Sequence, residues 1–147
     1  MITWQCKKFD ELNTHELYAI LQLRNEVFVV EQNCVFQDAD NKDQGSYHFM
    51  GWDNHKLVAY TRITVPGTVY LEPSIGRVVT SPLVRRAGIG RELMEQSIRQ
   101  VNILFGHTPI RIGAQVHLKN FYDSLGFTAA GEIYVEDGIE HIEMIRT

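Results

Sequence analysis

From Ser74 to Gly106 the sequence changes its period once, and that change constrains the fold more than any other feature. "SIGRVVT" is β-rich and ends at Ser81-Pro82. Beyond "LVRRAGIG", residues Leu93, Met94, Ile98, Val101, Leu104 and Phe105 recur at helical spacing as far as Gly106. A strand thus feeds a long amphipathic helix across a short glycine turn. The free N–H groups and positive dipole end of such a helix start make an anion site. Gly88 and Gly90 let backbone approach a ligand closely, and Arg85 and Arg86 add positive charge. A pyrophosphate suits this combination. Two rival phosphate motifs fail: no Lys-Ser/Thr follows the glycines, and "GIGREL" lacks the third glycine of a dinucleotide fingerprint.

The segments around this unit read as strands and helices in the order β-α-β-β-β-α-β-α-β-β. "ITWQCKKF" opens as a strand. Leu17, Ile20, Leu21, Val27 and Phe28 predict a helix from Thr14 to about Glu31. "SYHFMGWDNHKLVAYTRITV" predicts a hairpin turning at Asp53-Asn54, and "FTAAGEIYVEDGIEHIEMIR" one turning at Asp137-Gly138. Between them, "PIRIGAQV" reads as a strand and "HLKNFYDSLG" as a short helix capped at Gly126. Early hairpins followed by βα crossovers predict one α/β domain over 1–147, with a mixed, mostly antiparallel sheet flanked by helices. Arg24 falls on the apolar stripe of the first helix, so it needs a carboxylate, a carbonyl or a ligand; a paired arginine is expected. "QDADNKDQG" lacks EF-hand spacing and reads as a solvated loop, or as a negative wall beside a cationic acceptor.

A net charge of −4 argues against nucleic acid as the main partner. The six histidines show no metal-ligand spacing, so no metal is expected. Cys6 and Cys34 form no C-x-x-C pair or disulfide framework, and neither a signal peptide nor an apolar run of roughly 18–20 residues is visible. A cytoplasmic protein without membrane contact is expected.

A second motif joins the first. "NFYDSLGF" follows "RRAGIG" by some thirty residues, and together they closely resemble the acetyl-coenzyme A signatures of the GNAT superfamily of N-acetyltransferases. Arg85, Gly88 and Gly90 occupy the fixed positions of that family's Q/R-x-x-G-x-G/A motif. Asn120, Tyr122, Gly126 and Phe127 match its later helix. "LQLRNEVFVVEQNC", "IGRVV", "GAQVHLKNFY" and "EDGIEHIEM" resemble the ElaA-type subgroup, so the likeness spans essentially the whole chain.

The resemblance implies the acyl-CoA N-acyltransferase fold and direct attack of an amine on the thioester of acetyl-CoA. It places Val78, Val79 and Thr80 along the pantetheine arm, with an N–H near Val79 polarising the thioester carbonyl. Arg85, Arg86, Ala87, Gly88, Ile89, Gly90 and Arg91 form the phosphate cradle, and Asn120 touches pantetheine. Tyr122 is the candidate general acid for the departing thiolate. The base is open. The strand position where several family members carry a glutamate is Arg77 here, which leaves Glu31, His48, His141 and Glu143, or water. Residues 141 and 143 share one face of a strand, and Glu31 and His141 are the pair assigned to the acceptor pocket. The expected acceptor is a small-molecule amine, with a protein N-terminus or lysine as the alternative. A non-catalytic acyl-CoA-binding module is the rival class, and a homodimer is compatible with either.

Overall fold

The computed structural model describes residues 1–85 and 87–147; Arg86, assigned above to the phosphate cradle, lies outside the described residues. Strands β1 (Ile2–Lys8), β2 (Tyr47–Asp53), β3 (Lys56–Thr64) and β4 (Ser74–Thr80) form an antiparallel meander in chain order. Strands β5 (Ile110–Gln115), β6 (Thr128–Ala129), β7 (Tyr134–Glu136) and β8 (Ile139–Arg146) form a second sheet, in which β8 pairs with the other three. Every ladder among the described residues is antiparallel. The crossover is helix α2 (Ile89–Phe105), which carries the chain from β4 to β5. These two strands abut without a ladder, and Arg111 N–H donates to Pro73 O at 3.2 Å where both begin. The expected single sheet is therefore two sheets meeting along a split.

Strand β3 is buried almost throughout because it serves two cores. Ala59 and Ile63 pack with Leu93, Met94 and Val101 of α2. Tyr60 packs with Ile20, Leu23 and Val27 on the opposite face. Thr61 would be an orphaned hydroxyl in this setting, but Ser97 Oγ on α2 lies 2.8 Å away.

The first helix departs from its sequence reading in an informative way. Helix α1 covers Thr14–Arg24 and starts on a capping box: Asn13 Oδ1 accepts from Glu16 N–H, and Glu16 Oε1 accepts from Asn13 N–H. It then widens into a π-helical turn over Asn25–Glu31, where Gln32 N–H reaches Val27 O and Cys34 N–H reaches Val29 O. The buried stripe is Ile20, Leu23, Arg24 and Val27, at i, i+3, i+4 and i+7. Leu21, counted in the stripe above, is 38% exposed because it sits one position round the helix. The first hairpin turns at Asn54-His55, one residue later than expected. The last turns at Asp137-Gly138, with φ of 51° and 77°, the positive pair that a two-residue hairpin loop requires. Helix α3 is a single turn, Lys119–Asp123, that delivers Tyr122 to the split.

Candidate active site

The site begins with a defect in β4. Its ladder to β3 pairs Val79 with Tyr60 but Gly76 with Arg62, so Arg77 and Val78 together oppose Thr61. Arg77 adopts φ of 49° to make this bulge. A bulge frees backbone polar groups from the ladder and bends the strand. Here it faces a cavity of about 840 Å³ that fills the split between β4 and β5. Arg85 and Gly90 border one end; Tyr122 from α3 and His141 from β8 join the β4 residues on its walls.

Among the residues assigned from sequence, the cavity brings together Val78, Val79, Thr80, Arg85, Gly90, Glu31, Tyr122 and His141. Ala87, Gly88 and Ile89 sit beside it at the start of α2, where Gly88 caps the helix at φ of 74°. Arg91 is turned away: its guanidinium donates to Ser124 Oγ at 2.9 Å. Asn120 is exposed on α3, outside the cavity wall. Val79 keeps its partner across the ladder, so the bulged pair Arg77 and Val78 carries the freed backbone.

The side chains at this site differ in electrical state. Tyr122 is 5% exposed, edge-on to Phe121 and Phe127. Burial pushes its phenol up to about 12, so it remains a proton donor across the neutral range. His141 Nδ1 lies 2.8 Å from Ile139 O. A carbonyl can only accept, so the neutral ring carries its proton on Nδ1 and keeps a lone pair on Nε2. That Nε2 is 4.0 Å from Glu136 Oε2. Glu31 is engaged differently: its two oxygens accept from Arg85 at 2.5 and 2.6 Å. Arg85 thereby holds the Glu31 carboxyl below its usual range. Two other base candidates stand elsewhere. His48 is fully buried between Tyr60 Oη and Asp43 O, at 2.7 and 2.8 Å. Glu143 accepts from Arg111 at 3.2 Å, and neither residue borders the cavity.

Gln37, Asn41 and Lys42 of the acidic loop are exposed, but its aspartates are neither solvated nor a negative wall. Asp38 and Asp43 take Arg24, at 2.7 and 2.8 Å. Asp40 and Asp43 take Arg62, at 2.7 and 2.9 Å, and Asp38 takes Arg77 at 2.7 Å. Three carboxylates cancel three guanidiniums. The sequence held the signal in the three arginines, each on an otherwise apolar or β-rich run and each needing an anion. Burial pushes the Asp43 carboxyl up, but Arg24 and Arg62 outweigh it and hold the group below its usual range. The loop is thereby pinned across the face of β3, and Asp40 and Arg62 form part of the cavity wall. Tyr70, Tyr134 and Glu136 also border the cavity and were not singled out from sequence.

Residues 14–147 match the family described as Acetyltransferase (GNAT) domain. The chain belongs to the GNAT acetyltransferases. Protein ElaA of Escherichia coli (strain K12) is 46% identical over 149 residues, spanning 99% of this chain and 97% of ElaA. The crystal structure of E. coli ElaA superposes with a TM-score of 0.93 at 44% identity, covering all of both chains. That of an acyl-CoA N-acyltransferase from Pseudomonas aeruginosa gives 0.96 at 42% identity, again over all of both chains. The acyl-CoA N-acyltransferase fold expected from the two motifs, and the ElaA-like subgroup expected from the four further segments, are both established by these matches. Membership implies an acyl-CoA donor, and the bulged split with a helix start at its end suits one. Among the described residues no helix is long and apolar enough to cross a membrane.

Proposed function

We propose that the protein transfers an acetyl group from acetyl-CoA to a primary amine of a small molecule, by direct attack on the thioester. One observation carries the reading: a proton donor, Tyr122, and a lone pair, His141 Nε2, border one cavity in the bulged split. When bound, acetyl-CoA supplies an activated acyl carbon. The start of α2, with the amides of Ala87 to Gly90, offers N–H groups to its pyrophosphate. Backbone groups of the bulge polarise the thioester carbonyl. His141 Nε2 removes the proton that an incoming ammonium must lose before its nitrogen can attack. Tyr122 gives a proton to sulfur as the C–S bond breaks and the C–N bond forms, and the proton that the new amide nitrogen sheds restores the phenol through solvent. Between the two pocket candidates, the geometry favours His141 as base, because Glu31 is committed to Arg85. Both cysteines are free thiols, which supports a reducing cytoplasm.

Two variants test this. Gly88→Val forces a branched side chain onto a left-handed residue at the helix start; in folded protein, calorimetry should detect no acetyl-CoA binding. His141→Ala should bind acetyl-CoA as the parent does while losing turnover and the acidic limb of its rate–pH profile. Wild-type affinity in folded Gly88→Val removes the donor site. Wild-type turnover and pH dependence in His141→Ala return the base role to solvent.

A further inference from the structure

Gly113, in the middle of β5, has no side chain, and two phenols use the space. A Cβ built there would stand 2.7 Å from Tyr134 Oη and 3.1 Å from Tyr70 Oη. The two hydroxyls therefore converge on one point from separate elements: Tyr70 from the connection between β3 and β4, Tyr134 from β7. Both residues and Gly113 border the cavity. Gly113 lies two residues beyond Arg111, where the split is closed, whereas Arg85 and Gly90 border its far end. The Tyr134 ring also stacks on His141, with centroids 5.7 Å apart and planes 24° apart.

We infer that this phenol pair, seated on Gly113, is the acceptor-binding site, taking the N–H groups of a primary amine on two phenol oxygens and holding its nitrogen beside His141. The inference rests on the N-acetyltransferase reading. Its chemistry is specific. Neutral phenols accept N–H bonds from the amine and the ammonium alike, and they add no negative charge to that of Glu136, which already borders the cavity. Burial, with the charges of Glu143 and Glu136 nearby, keeps both phenols protonated. Tyr70 and Tyr134 are thus specificity-determining, and Gly113 is a positioning residue that acts through them.

The experiment measures coenzyme A thiol release with a panel of primary monoamines, diamines and amino-acid amides, then compares variants on the amine with the highest kcat/KM. Tyr70→Phe and Tyr134→Phe should each lower kcat/KM by about tenfold, the loss of one hydrogen bond, chiefly through the KM for the amine. Gly113→Ala should match Tyr134→Phe, because its methyl group would stand 2.7 Å from the Tyr134 hydroxyl and displace it. Combined with Tyr134→Phe it should add little, since both changes remove the same contact. Acetyl-CoA affinity should stay within twofold in every variant. If the Phe variants and Gly113→Ala all keep the parent kcat/KM, the phenol pair is not the acceptor site, and the acetyltransferase reading stands. A large fall in acetyl-CoA affinity would place the pair on the donor and also overturn the inference. Thiol release from no amine in the panel would remove the N-acetyltransferase reading, and this inference with it.

Discussion

The two ends of the split, proposed above to take the donor and the acceptor, are made of different materials. The donor end is backbone: a bulge in β4, a left-handed glycine and the opening turn of a helix. A side chain there is mostly an obstruction, and Arg85 is tied to Glu31. The acceptor end is side chain. Tyr70, Tyr122, Tyr134 and His141 arrive from four segments, on a wall braced by buried arginine–aspartate pairs. On that proposal, the donor end asks of its ligand only a pyrophosphate and an extended amide arm. The acceptor end can select, because exchanging a few side chains changes its shape and charge while the sheets stay put.

The sharpest way to break this comparison is Tyr122→Phe. The ring keeps its packing and loses its proton, so kcat should fall by roughly 10²–10⁴-fold with acetyl-CoA affinity unchanged. Presteady-state thiol release checks it, and an unaltered chemical step would leave Tyr122 as packing alone. Arg24→Met probes the bracing beneath the acceptor wall. It takes one of two arginines from each of the nearly buried Asp38 and Asp43, so unfolding by urea should show a loss below the roughly 3–5 kcal/mol that an uncompensated buried charge costs.

What could be read from sequence follows the same division. A helix start that binds phosphate needs glycines and basic residues side by side, so "RRAGIG" carried its own signal. Strands and α2 were equally legible, because their periods are local. The split between β4 and β5 was not, since a crossover with or without a ladder leaves the same pattern. The widening at Asn25–Glu31 also left no mark, as a π-turn uses ordinary helix formers. Tyr70 and Tyr134 lie far apart in sequence, and the glycine that lets them meet reads as an ordinary strand residue. The acidic loop was misread for a related reason: whether aspartates are solvated or paired depends on which arginines the fold brings to them.

The pairing makes a pH prediction. Burial pushes the Asp40 and Asp43 carboxyls up, but Arg62 at Asp40, and Arg24 with Arg62 at Asp43, outweigh it and hold both below the usual carboxylate range. Acids depressed in the folded state stabilise it above their unfolded pKa of about 3.9. That stability is lost as pH falls below this value toward their folded pKa. Thermal melts should therefore show Tm level above about pH 5 and falling steeply below pH 4. In Asp43→Asn the acid-dependent part should shrink. An equally steep fall in that variant would locate the acid sensitivity elsewhere.

The smallest expected effect lies at the donor end. Glu31 and Arg85 are both more than a third exposed, so their pair is worth no more than about 1 kcal/mol. Glu31→Gln should release Arg85 toward the donor's phosphates and strengthen acetyl-CoA binding by at most about fivefold. Weaker binding would mean that Glu31 organises the donor end rather than restraining it.

The most direct test of the whole account follows both products of one reaction. The protein is incubated with acetyl-CoA labelled in the acetyl group and with the panel of primary amines. Free thiol and labelled amide are then quantified together by mass spectrometry. At least one amine should yield thiol and N-acetylated amine in equal amounts, and both should be lost in Tyr122→Phe. Tight acetyl-CoA binding with no labelled amide from any amine would contradict it, leaving a protein that holds the donor and transfers nothing.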